Sequence, residues 1–509
     1  MSFIDKLAAF ISPTWAYKRE IYRQGYEGLR NYDAGNYEKT NQNWRVMNES
    51  AELTDRGSRD NVRARARDLE RNSDMMNAVI GAFKRNVVGG GYRMQATTGK
   101  PELNTQIEAA WKKWCKKQNC DVTGQQSFNQ IIRMAVERKK VDGGILFVKR
   151  YTKEGFLPFQ LQMIEVDELD TTQTTPKKKS NKVVGGIEYN SYNKPQGYFI
   201  RQYGIDGYSL MDPVYIEAKD VIFYFTKKRP TQLREMSDMA PTIPRIRDVN
   251  EFMVAVSVKE RIAACLSVFV KKVLPTSGIG GIGRTNGNTS DPRTSYEGKT
   301  ITPGMIKELN AGDEIQVVNP NGQAADATTF TKQQLRLIGA GQGISYEATS
   351  RDMSESNYSS TRQGLIEDEL TYKEDKELLI EIMTEIYETF LISAVLAGVI
   401  NIPDFWNEKD IYMSHEWIQA PKAWIDPAKE STATKTALAS GQKTFKQIAA
   451  ENGRDWREQI DDMVEVLEYG KSKGIDLGGV IFEQASQKSN TQSSESAVDE
   501  DDDETDGDK

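Results

Sequence analysis

The 509-residue chain has little sulfur and almost no imidazole: three cysteines, Cys115, Cys120 and Cys265, and one histidine, His415. With no CxxC pair the thiols provide no disulfide framework, and a reducing compartment suits them. The Cys115–Cys120 spacing is wrong for a zinc knuckle, so a Cys/His metal site is not expected. A Ser-His-Asp triad would depend on His415 alone. Long apolar runs are also missing. The longest, Phe390 to Ile400, is shorter than the ~18–20 residues that cross a bilayer, and it reads as a buried helix end. Asp5 and Lys6 interrupt MSFIDKLAAF where a signal peptide needs an unbroken apolar core. A cytosolic chain with no membrane partner is the expectation.

The formal charge of −7 is not spread over the chain. The last fifteen residues hold nine acids and one base, Lys509, which leaves the body close to neutral. Such a like-charge run repels itself and stays solvated. The body, at 38% hydrophobic and 28% charged for the whole chain, has ordinary globular composition and enough length for several packed regions.

Residues 1–60 are polar and rich in Tyr, Asn and Arg. From Asp60, Val62, Leu69, Met76, Val79, Ile80, Phe83 and Val87 recur near helical spacing, and Gly89-Gly90-Gly91 stops the helix. A second helix carries Trp111 and Trp114, and a third runs from about Phe128 to Lys140. The strand ILFVKRY follows, then FQLQMIEV, VVGGIEYN, GYFIRQY and DVIFYFTK, each bounded by turn residues. The first ~240 residues therefore read as mixed helix and sheet. A long helix without Gly or Pro runs after Pro244 to the basic pair Lys271 and Lys272. A Gly/Ser/Thr/Asn-rich loop, a small strand-and-turn module and a shorter helix, TKQQLRLIGAGQGI, come next. The polar loop RDMSESNYSS leads into a long helix from Arg362 to about Ile400, closed by Pro403. A final helical region spans Asp426 to about Gly470 before polar, low-complexity sequence.

No catalytic set emerges from these segments. RTSYEGKT (293–300) resembles the end of a Walker A loop, but Arg293 stands where the motif needs glycine. TTGKP lacks the first glycine and the metal-binding hydroxyl, and the GIGGIG run (278–283) has no strand-to-helix context. Glu367, Asp368 and Glu369, and then Glu374, Asp375 and Glu377, are neighbours on one helix and read as an exposed acidic face. A two-metal nuclease needs acids converging from different elements. Glu165, Asp167, Glu168 and Asp170 read as a solvated turn. The chain is expected to be no enzyme, with no catalytic residue, no metal and no cofactor.

Four blocks carry a family resemblance. RARARDLERNSDMMNAVIGAFKRNVVGGGYRMQ resembles the opening block of lambda-type phage portal proteins, a basic RDLxRN helix running into NVVGxG. QLRLIGAGQGISYEATSRDMSESNYSSTRQG resembles their channel-loop block, with an SxDxSxxNYSSxR core. WIQAPKAWIDPAKE and ASGQKTFKQIAAENGRDW resemble the C-terminal block. Together they span roughly residues 60–460, in the family's order. The sequence departs from the pattern at RPTQLREMSDMAPTIPRIRD, where the family has a Gly-rich stretch before the long helix.

The resemblance implies an α+β portal fold with wing, stem, clip and crown regions and a long tunnel helix, in a ring of about twelve copies. It divides the chain into an N-terminal arm (1–60), wing (61–244), stem helix (245–273), clip (274–330) and second stem helix (331–350). A channel loop (351–360), tunnel helix (361–403), C-terminal wing or crown region (404–482) and disordered acidic tail (483–509) complete it. Arg351, Asp352, Ser354, Glu355, Ser356, Asn357, Tyr358 and Arg362 would form the DNA channel loop. The implied partners are further copies of the chain, double-stranded DNA in the channel, the terminase large subunit, the major capsid protein and head–tail connector proteins. The place implied is the portal vertex of the virion, with the host cytoplasm during assembly.

A channel passing DNA of every sequence must not grip phosphate, since each Lys/Arg–phosphate contact has to be broken as the duplex moves. DMSESNYSS, small, polar and mildly acidic, fits that demand. The acids along Glu367–Glu377 would repel phosphate if they faced the lumen, or pair with a neighbouring copy's bases if they faced outward. Two other function classes remain beside this one: another structural phage head or tail component, and an enzyme acting on nucleic acid. Missing phosphate-loop and metal motifs weigh against the second.

Overall fold

The computed structural model describes residues 13, 14, 18, 48–264, 268–272, 313–317, 324–354, 357–421 and 427–475. Most of the expected arm, most of the clip, the Walker-like segment, the GIGGIG run and the acidic tail lie outside the described residues. The rest divides into two units.

The first unit joins the described residues up to Arg59 with Lys227–Arg234. Its helix α1 (Ala51–Arg56) starts at Ser50, whose hydroxyl accepts from the Leu53 N–H. Glu52 on its first turn is buried and paired with Arg59 at 2.8 Å. The Ala51 N–H donates to Thr231 Oγ1 at 2.9 Å, tying in the returning segment.

The second unit begins along α2 (Arg59–Asn72) and continues with α3 (Asp74–Phe83), which runs into a π-helical turn, Lys84–Val88. The sequence reads as one helix here; the structure breaks it at Ser73. That residue is extended and its hydroxyl accepts from the Met76 N–H, capping a new helix. The strand β1 (Tyr92–Ala96), α4 (Pro101–Trp114) and α5 (Phe128–Asp142) follow. Then come β2 (Gly144–Arg150), β3 (Gln160–Ile164), β4 (Lys182–Val184), β5 (Ile187–Tyr189), β6 (Pro195–Ile200), β7 (Val214–Glu217) and β8 (Val221–Phe225). VVGGIEYN, read as one strand, is a hairpin: Gly185 and Gly186 adopt φ of +57° and +82° between β4 and β5. β3, β2 and β8 form one antiparallel sheet, and β4 to β7 form another in sequence order.

Helix α6 (Ile243–Ala264) is shorter than the sequence reading. Val268–Lys272 is not its last turn but a strand, β9, paired antiparallel with β10 (Asp313–Val317). The β-branched and aromatic run VFVKK prefers a pleated surface to a helix end. α7 (Ala324–Gln342) and the short α8 (Tyr346–Ser350) precede the 39-residue α9 (Tyr358–Leu396). α9 starts earlier than Arg362, so Tyr358, Ser359 and Ser360 form its first turn. It ends at Gly398 (φ +69°), before Pro403 is reached. Last come β11 (His415–Gln419), α10 (Pro427–Ala439), α11 (Phe445–Glu451) and α12 (Trp456–Ser472). β11 pairs with β1 across more than 300 residues of chain, for example Met94 with Trp417.

The core gathers around the apolar half of α9. Leu379, Met383, Ile386, Tyr387, Phe390, Leu391 and Ala394 are all buried. Trp111 stacks near Trp114 (ring centroids 5.0 Å apart) and meets Phe390 edge-on at 5.0 Å. Trp114 stacks on Phe159 and donates its indole N–H to the Phe159 carbonyl at 2.8 Å. Each such ring contributes ~1.5–3 kcal/mol of burial, with more from ring geometry. α9 is thereby clamped along its second half, and its first half carries the segment singled out from sequence.

Candidate functional site

The joint between α7, α8 and the start of α9 is held by short polar groups. α7 stops at Gln342, and Gly343 (φ +71°) turns the chain so closely over α9 that an added Cβ would stand 2.8 Å from Thr371 Oγ1. The Thr371 hydroxyl donates to the Gly343 carbonyl at 2.6 Å. Ser345 caps α8, and both its N–H and its hydroxyl donate to the Asp368 carboxylate, at 2.6 and 2.7 Å. Burial holds the Asp368 carboxyl above its ordinary range, while the Ser345 bonds oppose that shift.

Arg351 ends α8 in the left-handed region, at φ +59°. The Tyr346 hydroxyl reaches Asp352 Oδ2 at 3.1 Å, and the Ser354 N–H donates to Asp352 Oδ1 at 3.0 Å. Hydrogen bonds from Ser354, then from Tyr346, keep the Asp352 carboxyl below the usual carboxylate range. Asn357 caps α9: its Oδ1 accepts from the Ser360 N–H at 2.8 Å, and its own N–H donates to Ser360 Oγ at 3.1 Å. Arg351, Ser354, Asn357 and Arg362 are exposed, and Asp352 is half-buried. Glu355, Ser356 and the side chain of Tyr358 lie outside the described residues. The described ends of the segment are polar, one shaped by Asp352 and the other by Asn357.

Among the described residues of this segment, none pairs a nucleophile with a base. Among the described residues no group of three His, Cys, Asp or Glu side chains could hold a metal ion. His415 is committed to packing. Nδ1 lies 2.7 Å from the Met413 carbonyl, Nε2 is 3.3 Å from Thr384 Oγ1, and the ring rests on Tyr387. Burial holds its pKa below the ordinary histidine value. Burial pushes the Cys120 thiol up to about 12 and raises Cys115 as well, so neither is a reactive thiolate. Cys265 is outside the described residues.

The acidic helix is not the plain exposed face that the sequence suggests. Asp368 and Asp375 are 3% and 9% exposed, while Glu367, Glu374 and Glu377 are exposed. Lys139 Nζ meets Asp375 Oδ1 at 2.7 Å and Asp238 Oδ2 at 3.0 Å, and Lys140 Nζ meets Asp375 Oδ2 at 3.1 Å. A signal for this was present. The core positions Phe390, Met383, Leu379 and Tyr372, followed backward at helical spacing, land on Asp375 and Asp368. The acidic turn after β3 is likewise more than a solvated one. Asp167 pairs with Arg63 (2.8 Å) and Arg67 (2.6 Å), and Asp170 is buried.

The model for phage portal proteins of the lambda family matches residues 37–376. The probable portal protein of Halomonas phage phiHAP-1 is 26% identical over 428 residues, covering 81% of this chain and 81% of its own. Portal protein B of Escherichia phage lambda is 21% identical over 448 residues, covering 81% of this chain and 84% of its own. Among solved structures, the neck of an empty gene transfer agent particle, computed with C6 symmetry, aligns with a TM-score of 0.43 at 11% identity, over 76% of this chain and 93% of that one. A family match over that span, with two phage portal proteins each aligned along most of their length, leads to one assignment: the chain belongs to the lambda family of phage portal proteins.

Proposed function

We propose that copies of this chain close into a ring of about twelve at one capsid vertex, and that the Arg351–Arg362 segment lines the passage for double-stranded DNA. The observation that carries this reading is the pair of polar caps, at Asp352 and at Asn357, that lead into the N-terminal end of α9 in a chain of the portal family. Asp352 and Asn357 shape its described ends, and the residues between them, Met353, Ser354, Glu355 and Ser356, bring two hydroxyls, one carboxylate and no cation. In this reading residues 61–244 are the wing, 245–273 and 331–350 the stem, 274–330 the clip, 361–403 the tunnel helix and 404–482 the crown side. The clip docks the terminase large subunit during packaging and connector proteins afterwards, and the wing meets the major capsid protein. The role is structural: the ring is a conduit, with no catalytic step of its own.

Negative-stain imaging of purified protein tests the ring, which should show a central hole. The channel assignment is tested by Glu355→Lys, which in a ring replaces a belt of repelling charges with attracting ones. DNA passage should slow at low salt and recover at high salt, as counterion release weakens phosphate contacts. Glu154→Lys, the same change on an exposed loop of the wing, is the control. Normal packaging and ejection by Glu355→Lys particles at every salt concentration would remove this segment from the passage.

A further inference from the structure

Helix α9 has two unlike sides at the level of the candidate segment. On one side Thr361, Gly364, Leu365, Asp368 and Tyr372 border an open cavity of about 190 Å³. Arg85 from the π-helical turn and Arg351 from the end of α8 border it too, with Met353 beside them. Both arginines are exposed, and among the described residues neither forms an ion pair with a carboxylate. Two carboxylates share the cavity. Asp368 is already engaged by Ser345, and Glu347 is half-buried on α8. Partial burial and then the charge of Arg351 depress the Arg85 pKa, so the two guanidinium groups are close enough to repel.

On the other side stand Ile366, Glu367, Leu370 and Glu374. Each lies two residues beyond a cavity-lining position, which is about 200° around a helix. All four are exposed. Among the described residues Glu374 pairs with no cation, and Glu367 accepts from Gln363 of its own helix, at 3.0 Å. The lysines of this stretch are turned elsewhere, Lys373 toward Glu377 and Lys376 to Glu369. Among the described residues, one side thus carries two cations without a carboxylate partner, next to exposed Met353 and Leu365. The opposite side carries two anions with no cation partner among the described residues, next to exposed Ile366 and Leu370.

From this we infer that the Glu367/Glu374 side of α9 in one copy docks on the Arg85/Arg351 side of the next. A head-to-tail contact needs two different, complementary patches facing away from each other, and repeated rotation then closes a ring. A two-fold dimer through either patch would bring like charges together, so this arrangement also selects against it. The inference rests on the ring reading and gives it an interface: the acids of α9 neutralise a neighbour's arginines, and apolar side chains flank the charge pairs.

Two charge-reversal variants test it by mass photometry and negative stain: Arg85→Glu with Arg351→Glu, and Glu367→Lys with Glu374→Lys. Circular dichroism confirms folding of each. Either variant alone should need roughly tenfold or more higher concentration to form rings. An equimolar mixture should restore them, because each mismatched face then finds its complement on the other variant. Should reversal disturb folding, Arg351→Gln and Glu374→Gln replace it, and assembly should then weaken and lose salt sensitivity. Rings formed by the reversed variants as readily as by the wild type, or a mixture no better than its components, would overturn the contact and leave the ring reading standing. A wild type that stays monomeric under all conditions overturns both.

Discussion

Lys139 Nζ stands 2.7 Å from Asp375 Oδ1, a buried ion pair joining α5 to α9. Asp238, in the turn before α6, shares the same ammonium at 3.0 Å. Three elements far apart in sequence therefore meet at one charge. Asp375→Ala leaves an excess buried cation and should destabilise the fold by roughly 3–5 kcal/mol. Lys139→Met combined with Asp375→Leu removes both charges and should recover most of that loss, since Lys140 and Asp238 remain as a pair. Chemical denaturation of the three proteins measures it, and a double variant as unstable as Asp375→Ala would contradict the account.

Gly343 and Gly398 have nearly the same backbone angle, φ +71° and +69°, but different surroundings. Around Gly398 an added Cβ meets nothing within 4 Å, whereas at Gly343 it meets Thr371. Gly398→Ala should cost only the left-handed strain of ~1–2 kcal/mol. Gly343→Ala should cost clearly more, because α9 cannot retreat without breaking the Ser345–Asp368 bonds. Equal melting temperatures for the two variants would mean that the close approach is unimportant.

Asn357 satisfies the first turn of α9, and Asn357→Ala should cost ~0.5–2 kcal/mol of local stability. Hydrogen exchange should quicken at residues 358–361 and stay unchanged along the buried second half of the helix. Asn357→Asp keeps the acceptor and should restore protection.

The single histidine makes pH dependence traceable. The folded pKa of His415 is depressed by burial, while the unfolded value is about 6.5. As pH falls through the unfolded value, the unfolded chain takes up a proton that the folded chain refuses. Stability from this group is therefore full above that pH and declines below it, down to the folded pKa. Thermal scans from about pH 7 to 5.5 should show the decline, and His415→Gln should flatten it. An unchanged slope in the variant would take the decline away from this group; Glu108 and Asp368, whose carboxyls burial holds above their ordinary range, would give a slope of the opposite sign.

Much of the helix content and the family could be seen in the residues themselves. The heptad-like apolar run from Leu379 to Ala394 announces a buried helix, and the RDLERN, NVVGGG and SESNYSS blocks keep the family's order. Absent motifs spoke against catalysis. The misreadings share one cause: a local pattern yielded to a local cap or to a distant partner. Ser73 splits a continuous apolar period by capping a new helix, and Gly185-Gly186 folds one β-rich run into a hairpin. Val268–Lys272 leaves its helix to pair with a strand about 45 residues on.

The sequence by itself determined which segments could be helix or strand, where the acidic tail lies and which family the chain joins, because periodicity, composition and short motifs are local properties. Only the tertiary structure decided what the inward acids of α9 meet, Lys139 and Lys140 at Asp375 and Ser345 at Asp368. It also decided that Arg85 stands beside Arg351, 266 positions away in the chain. Burial and charge pairing depend on what each face of a helix meets, and those neighbours come from residues that no local pattern connects.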